Sequence, residues 1–378
     1  MLSDNQLTAL TQPIIGIYNQ IEMSLLEQVA KRFDVYDKIG GSLEWQLKKL
    51  DELGALTTES VKVIASMSKR GEREIAQMLN DASLGNIDMD LLDLAYTNGF
   101  IFVDPQKMML TDALRATIEL SHKELGKTYK LIQTKALEST RQAYMDVINR
   151  CYIETASGIY DYGTSIRCAL RDMADQGITG ATYRRGNRYV KYSIEGTVRR
   201  DTITAVNKLA NKGAEQMTKE IGAGYVEVSA HLGARVSLDP IENHAGWQGK
   251  VYKLEGSEPK YPNLEESTGY PSDILGLGGV NCRHRMFPFF PGISVPNPHQ
   301  IDEAENKKVY EATQKQRAME RNIRAIKKRM IVAKASGDAD IAKEYRKRLT
   351  QKQAEIEKFC KDNGLRRQTE REMAQEEY

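Results

Sequence analysis

Apolar residues recur every four positions at Ile17, Ile21, Leu25, Val29 and Phe33, which lines one helical face and predicts an amphipathic helix. Pro13 stands just before this stretch, where proline is tolerated. Gly40-Gly41 breaks the pattern, and Ser42 can cap a second helix over residues 43–53, which Gly54 ends. Further helices are expected over 58–67, 72–79, 111–125 and 127–156, and a last one over 164–176 with Gly177 as its stop. Short helices joined by small breaks predict an antiparallel bundle over residues 1–177.

The pattern changes at Gly177. Residues 179–183 and 188–192 read as short strands between glycines, and 196–221 as a helix. Residues 225–231 alternate in the manner of a strand, with β-branched side chains on one face. Residues 237–300 are rich in proline and glycine, and little regular structure is expected there beyond a strand over 250–254. This makes residues 178–300 a small, loop-rich α+β domain, and long loops in a compact domain call for a functional or structural reason. From 301 to 378 the chain is helical again. Ile323, Ile326 and Met330 mark one helix; Ile341, Tyr345, Leu349, Ile356 and Phe359 mark the next; Ser336-Gly337-Asp338 is the turn. The expected fold is mainly α with a small α+β domain.

Composition fits a helical protein, with 40% hydrophobic and 28% charged residues in 378, and it excludes wholesale disorder. Net charge is only +2, but it is unevenly placed: residues 1–150 carry −4 and residues 301–378 carry +5. Arg321, Arg324, Lys327, Lys328, Arg329, Arg346, Lys347 and Arg348 form the densest basic stretch. They are candidates for a solvated helix face, or for contact with DNA or another polyanion. The four cysteines form no CxxC pair, which argues against a disulfide scaffold. No signal-peptide pattern opens the chain, and no apolar run is long enough to cross a membrane.

The chemistry-bearing residues gather between His231 and Phe290, where three of the five histidines lie with Cys282 among glycines. One reading is a zinc site of His231, His244, Cys282 and His284, since thiolate and imidazole are the usual tetrahedral ligands. A second is a Cys–His nucleophile pair, Cys282 with His244 or His284, oriented by Asn281 or Asn243. The preferred reading assigns no catalytic, cofactor or metal role. In it Arg235, His244, Gln248, Asn281 and Arg283 are buried polar groups that satisfy loop backbone, while Trp247, Phe287, Phe289 and Phe290 fill the core beneath. There is no GxxxxGK[ST], HExxH or GxSxG motif, which removes the commonest nucleotide-binding and hydrolytic signatures.

In order along the chain these residues resemble a known family. The N-terminal share is Trp45-Gln46-Leu47-Lys48-Lys49-Leu50-Asp51-Glu52-Leu53-Gly54 with Leu56-Thr57. The middle share is Gly177-Ile178-Thr179, Tyr183 and Val198-Arg199-Arg200-Asp201, with Asn207 downstream. The most specific share begins at Val226-Glu227-Val228-Ser229-Ala230-His231, with Gly233-Ala234-Arg235, and continues through His244, Trp247-Gln248-Gly249-Lys250-Val251 and Lys260-Tyr261-Pro262. It ends with Thr268-Gly269-Tyr270, Gly276-Leu277, Asn281-Cys282-Arg283-His284 and Pro288-Phe289-Phe290-Pro291-Gly292. Over roughly residues 10–300 the chain resembles the phage minor capsid proteins of the class called two, themselves similar to the head-morphogenesis protein F of phage Mu. Residues 237–243 look like a small insertion, and residues 301–378 lie beyond the recognised resemblance.

The resemblance implies a structural component of the phage head, assembled in the host bacterial cytoplasm. Its implied partners are the portal protein, the major capsid or scaffolding protein, and packaged double-stranded DNA. No cofactor is implied. The alternative it leaves open is an enzyme, ADP-ribosyltransferase-like or metal-dependent, built on the block from His231 to Arg285; Arg235, Ser237 and Glu265 would supply the residue types of the former.

Overall fold

The computed structural model describes residues 4–36, 42–84, 89–99, 101, 112–185, 187–296 and 301–373. The expected break at Gly40-Gly41 and the expected helix start at Thr111 lie outside these. The described residues form ten α-helices and two small antiparallel sheets, a mainly α protein with a small β region.

The helices are longer than the glycine spacing suggests. Helix α1 is Asp4–Ala30, with Pro13 inside it rather than before it. Helix α2, Ser42–Leu84, runs unbroken through Gly54 and Gly71, where separate short helices were expected. After α3, Met89–Thr97, helix α4 spans Asp112–Ala156 and passes through Gly126 in the same way. Glycine in a helix interior costs only about 1 kcal/mol against alanine. In α2 that is outweighed by an apolar stripe whose Leu56, Ile64, Ile75, Met78 and Leu79 are buried. Helix α5, Tyr162–Gln176, is capped by Asp161, which accepts from the Thr164 N–H, and it ends at Gly177 as expected.

The chain forms two compact units that interleave along the sequence. One comprises Met1–Pro13, Arg73–Gly126 and Arg200–Gln314; the other comprises Ile14–Glu72, Lys127–Arg199 and Lys315–Tyr378. The expected segments 1–177, 178–300 and 301–378 are consecutive, whereas each unit draws on three separated stretches.

In the unit containing residues 14–72, the predicted face of α1 is core: Ile17, Ile21, Leu25 and Val29 are buried, as is Phe33 just past the helix end. The Phe33 ring lies 5.0 Å from Tyr144 and 6.5 Å from Trp45, and Trp45 Nε1 donates to the Tyr162 hydroxyl at 3.2 Å. Strands β1, Thr179–Arg185, and β2, Arg188–Ser193, pair as an antiparallel hairpin. Helix α6, Ile194–Glu220, follows directly and contributes to both units. The expected C-terminal hairpin is present. Helix α9, Glu303–Ala335, and helix α10, Ala339–Asp362, meet at Ser336-Gly337-Asp338, and Asp338 caps α10 by accepting from the Ile341 N–H. Ile323, Ile356 and Cys360 are buried together between them.

An ionic cluster is also buried in this unit. Glu22, fully buried, pairs with Lys328 and accepts from the Glu195 N–H at 2.9 Å. Glu195 in turn pairs with Arg199 at 2.6 Å and Arg324 at 3.3 Å. Burial alone would raise the Glu195 carboxyl, but the positive charges of Arg199, Arg324 and Lys328 outweigh it and hold the group at about 2.

The other unit carries a three-stranded antiparallel sheet in the order β4-β3-β5. Strand β3 is Tyr225–Val228, β4 is Val251–Lys253 and β5 is Met286–Phe289, with Tyr225 opposite both Lys253 and Phe289. Strand β5 falls where no strand was expected, because Pro288 lies within it. As an edge strand it tolerates a residue without an N–H. Two short helices, α7 at His244–Trp247 and α8 at Leu264–Thr268, likewise occupy the stretch read as irregular. Val226, Val228, Trp247, Tyr252, Tyr270, Leu277 and Met286 pack with Ala214 of α6 into one core. A second core joins Met217, Ile221 and Phe290 to Leu92 and Ala95 of α3.

Candidate functional site

The residues between His231 and Arg285 converge beside the β4-β3-β5 sheet. Strand β3 delivers the chain to His231; His244 opens α7 and Trp247 and Gln248 close it; Cys282 and His284 lie on the segment that enters β5. Helix α6 fixes that segment from below. Asn207 Nδ2 donates to the Cys282 carbonyl at 3.1 Å, and Asn211 Nδ2 donates to the His284 carbonyl at 3.3 Å. Asn211 Oδ1 also accepts from the Met286 N–H at 3.0 Å. The glycine-rich turn before Cys282 has no room for side chains: a Cβ on Gly276 would meet the Thr268 carbonyl oxygen at 2.3 Å, and one on Gly279 the Ile274 carbonyl oxygen at 2.3 Å. Asn281 then turns the chain with φ +59°, a left-handed conformation that asparagine adopts more readily than most residues.

Four rings and a thiol form the centre. The His284 ring stacks on His231 with centroids 4.4 Å apart, meets His244 edge-on at 5.2 Å and meets Trp247 at 4.8 Å. Cys282 Sγ lies 3.7 Å from His284 Nδ1. One ligand atom from each of His244, Cys282 and His284 falls within 4.8 Å of the others, and all three residues are buried. His231, the fourth member of the predicted zinc set, is not part of that trio; it stacks beside it and is half-buried.

The hydrogen bonds define the protonation of this centre. Gln248 Oε1 accepts from the His231 backbone N–H at 3.0 Å, which identifies it as the amide oxygen, so His284 Nε2 at 3.0 Å must be the donor. His284 Nδ1 therefore carries the lone pair that faces the Cys282 thiol. His244 Nε2 donates to the Leu275 carbonyl at 2.8 Å, which leaves its lone pair on Nδ1 as well. Burial pushes the Cys282 thiol up to about 11 and His244 down to about 4. It also takes His284 well below the usual imidazole range, with the neighbouring histidines adding to the effect. All three groups are neutral at pH 7.

This arrangement corrects several expectations. Asn281 is exposed rather than buried, since its task is the left-handed turn. Arg235 and Arg283 are half-buried. Arg235 does satisfy loop backbone, donating to the carbonyls of Leu275 at 2.9 Å and Val280 at 2.7 Å. Phe287 is half-buried, while Trp247, Phe289 and Phe290 are core. A nucleophilic role for Cys282 is disfavoured, because the thiolate is the attacking species and burial suppresses it. Asn211 escaped the sequence reading, although an Asn pair spaced i, i+4 on a helix was the available signal.

The basic residues of the tail divide. Lys328 is buried against Glu22, and Arg324 is bonded to Glu195 and to the Arg371 carbonyl, so neither is available to a polyanion. Arg329 pairs with Asp175, and Lys327 is half-buried. Arg321, Arg346, Lys347 and Arg348 are exposed, the last paired with Glu344 on its own helix.

The family described as phage minor capsid protein 2 matches residues 2–361. The chain belongs to this family. As a minor capsid protein of phage it is a structural, virion component. The match extends through most of α9 and α10, so the C-terminal hairpin is part of the family and not an appendage beyond it. A structural protein of Lactococcus phage LL-H is 25% identical over 347 residues, covering 87% of this chain and 88% of the relative. A structural protein of Lactococcus phage mv4 is 31% identical over 116 residues, 30% of this chain and 92% of the relative. No solved structure matches the chain. Among the described residues of this minor capsid protein, no helix is long and apolar enough to cross a membrane.

Proposed function

We propose that this minor capsid protein is a non-catalytic component of the portal vertex, assembled into the head in the host cytoplasm, and that its helical N-terminal part binds the portal protein. The observation that carries this reading is the nearly full-length family match. The long helices α1, α2 and α4 support it, since they offer extended surfaces suited to contact with a ring of subunits. The buried, neutral Cys282, His244 and His284 favour a structural role over the ADP-ribosyltransferase-like or hydrolytic alternative.

Pull-down of the purified chain with the cognate portal protein is the test, read with the protein content of purified virions. Co-purification with the portal and recovery in virions is the expected result. No portal binding together with virions that lack the protein would discard the proposal. NAD consumption or nuclease activity that disappears in His244→Ala would discard its non-catalytic part.

Contact with packaged double-stranded DNA belongs to the same reading and falls to Arg321, Arg346, Lys347 and Arg348. Four phosphate contacts would weaken binding about 100-fold between 50 and 200 mM salt. Affinity that does not change over that range removes the contact.

A further inference from the structure

We propose that His244, Cys282 and His284 form a binding site for a divalent transition-metal ion of the zinc class. The inference stands apart from portal binding and rests on the geometry of one buried cluster.

Three observations converge. First, the spacing is that of a ligand set. With metal–sulfur and metal–nitrogen bonds near 2.3 and 2.0–2.1 Å, a tetrahedral S···N edge is about 3.6 Å. Cys282 Sγ and His284 Nδ1 stand 3.7 Å apart, and no pair in the trio exceeds 4.8 Å, a gap that small side-chain rotations close. Second, each imidazole is oriented by an outer partner. Gln248 Oε1 and the Leu275 carbonyl take up the two Nε2–H groups, which leaves Nδ1 as the unprotonated nitrogen of each ring, the one on His284 facing Cys282 Sγ. Such carbonyl partners are what fix the tautomer and ring angle of metal-bound histidines. Third, the partners are themselves held: Gln248 by the His231 N–H, the Leu275 carbonyl by Arg235, and the Cys282 and His284 backbone by Asn207 and Asn211.

The ligand chemistry selects the ion. One thiolate and two imidazoles suit Zn²⁺ and its analogue Co²⁺ and disfavour Mg²⁺ or Ca²⁺, which take oxygen donors. On binding, the Cys282 S–H bond breaks, its proton leaves to solvent and the sulfur electron pair forms the bond to the ion. The imidazoles bind as neutral donors and lose no proton. The fourth corner of the tetrahedron is left to a donor outside the trio.

The test uses the full chain in reducing buffer, loaded with Zn²⁺ or Co²⁺ and freed of excess metal by gel filtration. About one equivalent of Zn²⁺ is expected by elemental analysis. The Co²⁺ form should show the intense visible bands of tetrahedral cobalt and a near-ultraviolet thiolate charge-transfer band. Cys282→Ser should lower retained metal at least tenfold and abolish the charge-transfer band, whereas Cys360→Ser, a buried cysteine of the helical hairpin, should change neither. The spectrum of the unmutated chain keeps the test independent of whether a variant folds. Retention below about a tenth of an equivalent, or an octahedral cobalt spectrum without the charge-transfer band, overturns the site. So does a band that survives Cys282→Ser in a chain with unchanged circular dichroism.

Discussion

Two buried polar clusters, one in each compact unit, are built on opposite plans. The cluster around His284 is neutral, and its members come from neighbouring loops between residues 231 and 285, with two asparagines of α6 beneath. The cluster around Glu22 is charged, and its members come from residues 22, 195, 199, 324 and 328. A neutral buried group that loses a partner costs roughly 1–3 kcal/mol, whereas an unpaired buried charge costs about 3–5 kcal/mol. The two clusters should therefore differ both in how strongly one substitution hurts and in how they respond to pH.

The largest effect is expected at Lys328. Lys328→Ala leaves the fully buried Glu22 carboxylate without its ammonium partner, and the loss of unfolding free energy by denaturant titration should be about 3–5 kcal/mol. Adding Glu22→Gln to that variant should recover part of the loss, because the amide still accepts from the Glu195 N–H without carrying a charge. A Lys328→Ala cost below about 1 kcal/mol would mean that the charged cluster is no more demanding than the neutral one.

Acid separates the clusters next. Folding favours the ionised form of Glu195, whose pKa falls from an ordinary 4.5 to about 2. Its stabilisation is complete above about pH 4.5 and is lost as pH falls from 4.5 towards 2. The total is on the order of 3 kcal/mol. Stability measured across this interval should slope downward into acid, and Glu195→Gln should flatten the slope. An unchanged slope in that variant would assign the acid sensitivity to other titrating groups, the buried His244 and His284 among them.

To a single substitution the neutral cluster should respond more weakly, although the depressed pKa of its buried His244 and His284 makes it lose stability in acid as well, from about pH 6.5 downward. Asn211→Ala removes the acceptor for the Met286 N–H and the donor to the His284 carbonyl, at an expected cost of about 2 kcal/mol. A loss equal to that of Lys328→Ala would erase the distinction between the clusters.

The same contrast explains what the sequence revealed. The neutral cluster was legible because its histidines, cysteine and glycines crowd into one stretch, and their ordered spacing identified the family. Its details were not: Asn281 looked like a buried polar group, yet its backbone angle is what the fold uses. The helical face of α1 was legible because a four-residue period needs no tertiary information. The charged cluster was invisible, since nothing local distinguishes Lys328 from Arg321, and only the arrival of Glu22 from 306 residues away makes it internal. That is also why the eight basic residues of the tail read alike, as contacts for a polyanion or as a solvated helix face. The glycines misled in an instructive way. Gly126 did not end a helix, but it marks a boundary between stretches assigned to different units, as does Pro13.

Gly54 gives the smallest and cleanest test of that lesson. It was read as a helix stop, yet it lies within α2, is exposed, and has open space around the position a Cβ would take. Nothing in its surroundings requires glycine, and its backbone angle is not left-handed. Gly54→Ala should therefore stabilise the protein by about 0.5–1 kcal/mol, partly by narrowing the unfolded ensemble and partly through helix propensity. For a chain of this size that is a rise of about 1 °C in Tm. Destabilisation instead would show that α2 is interrupted at this point, as the glycine suggested, and that two shorter helices meet where the structure has one.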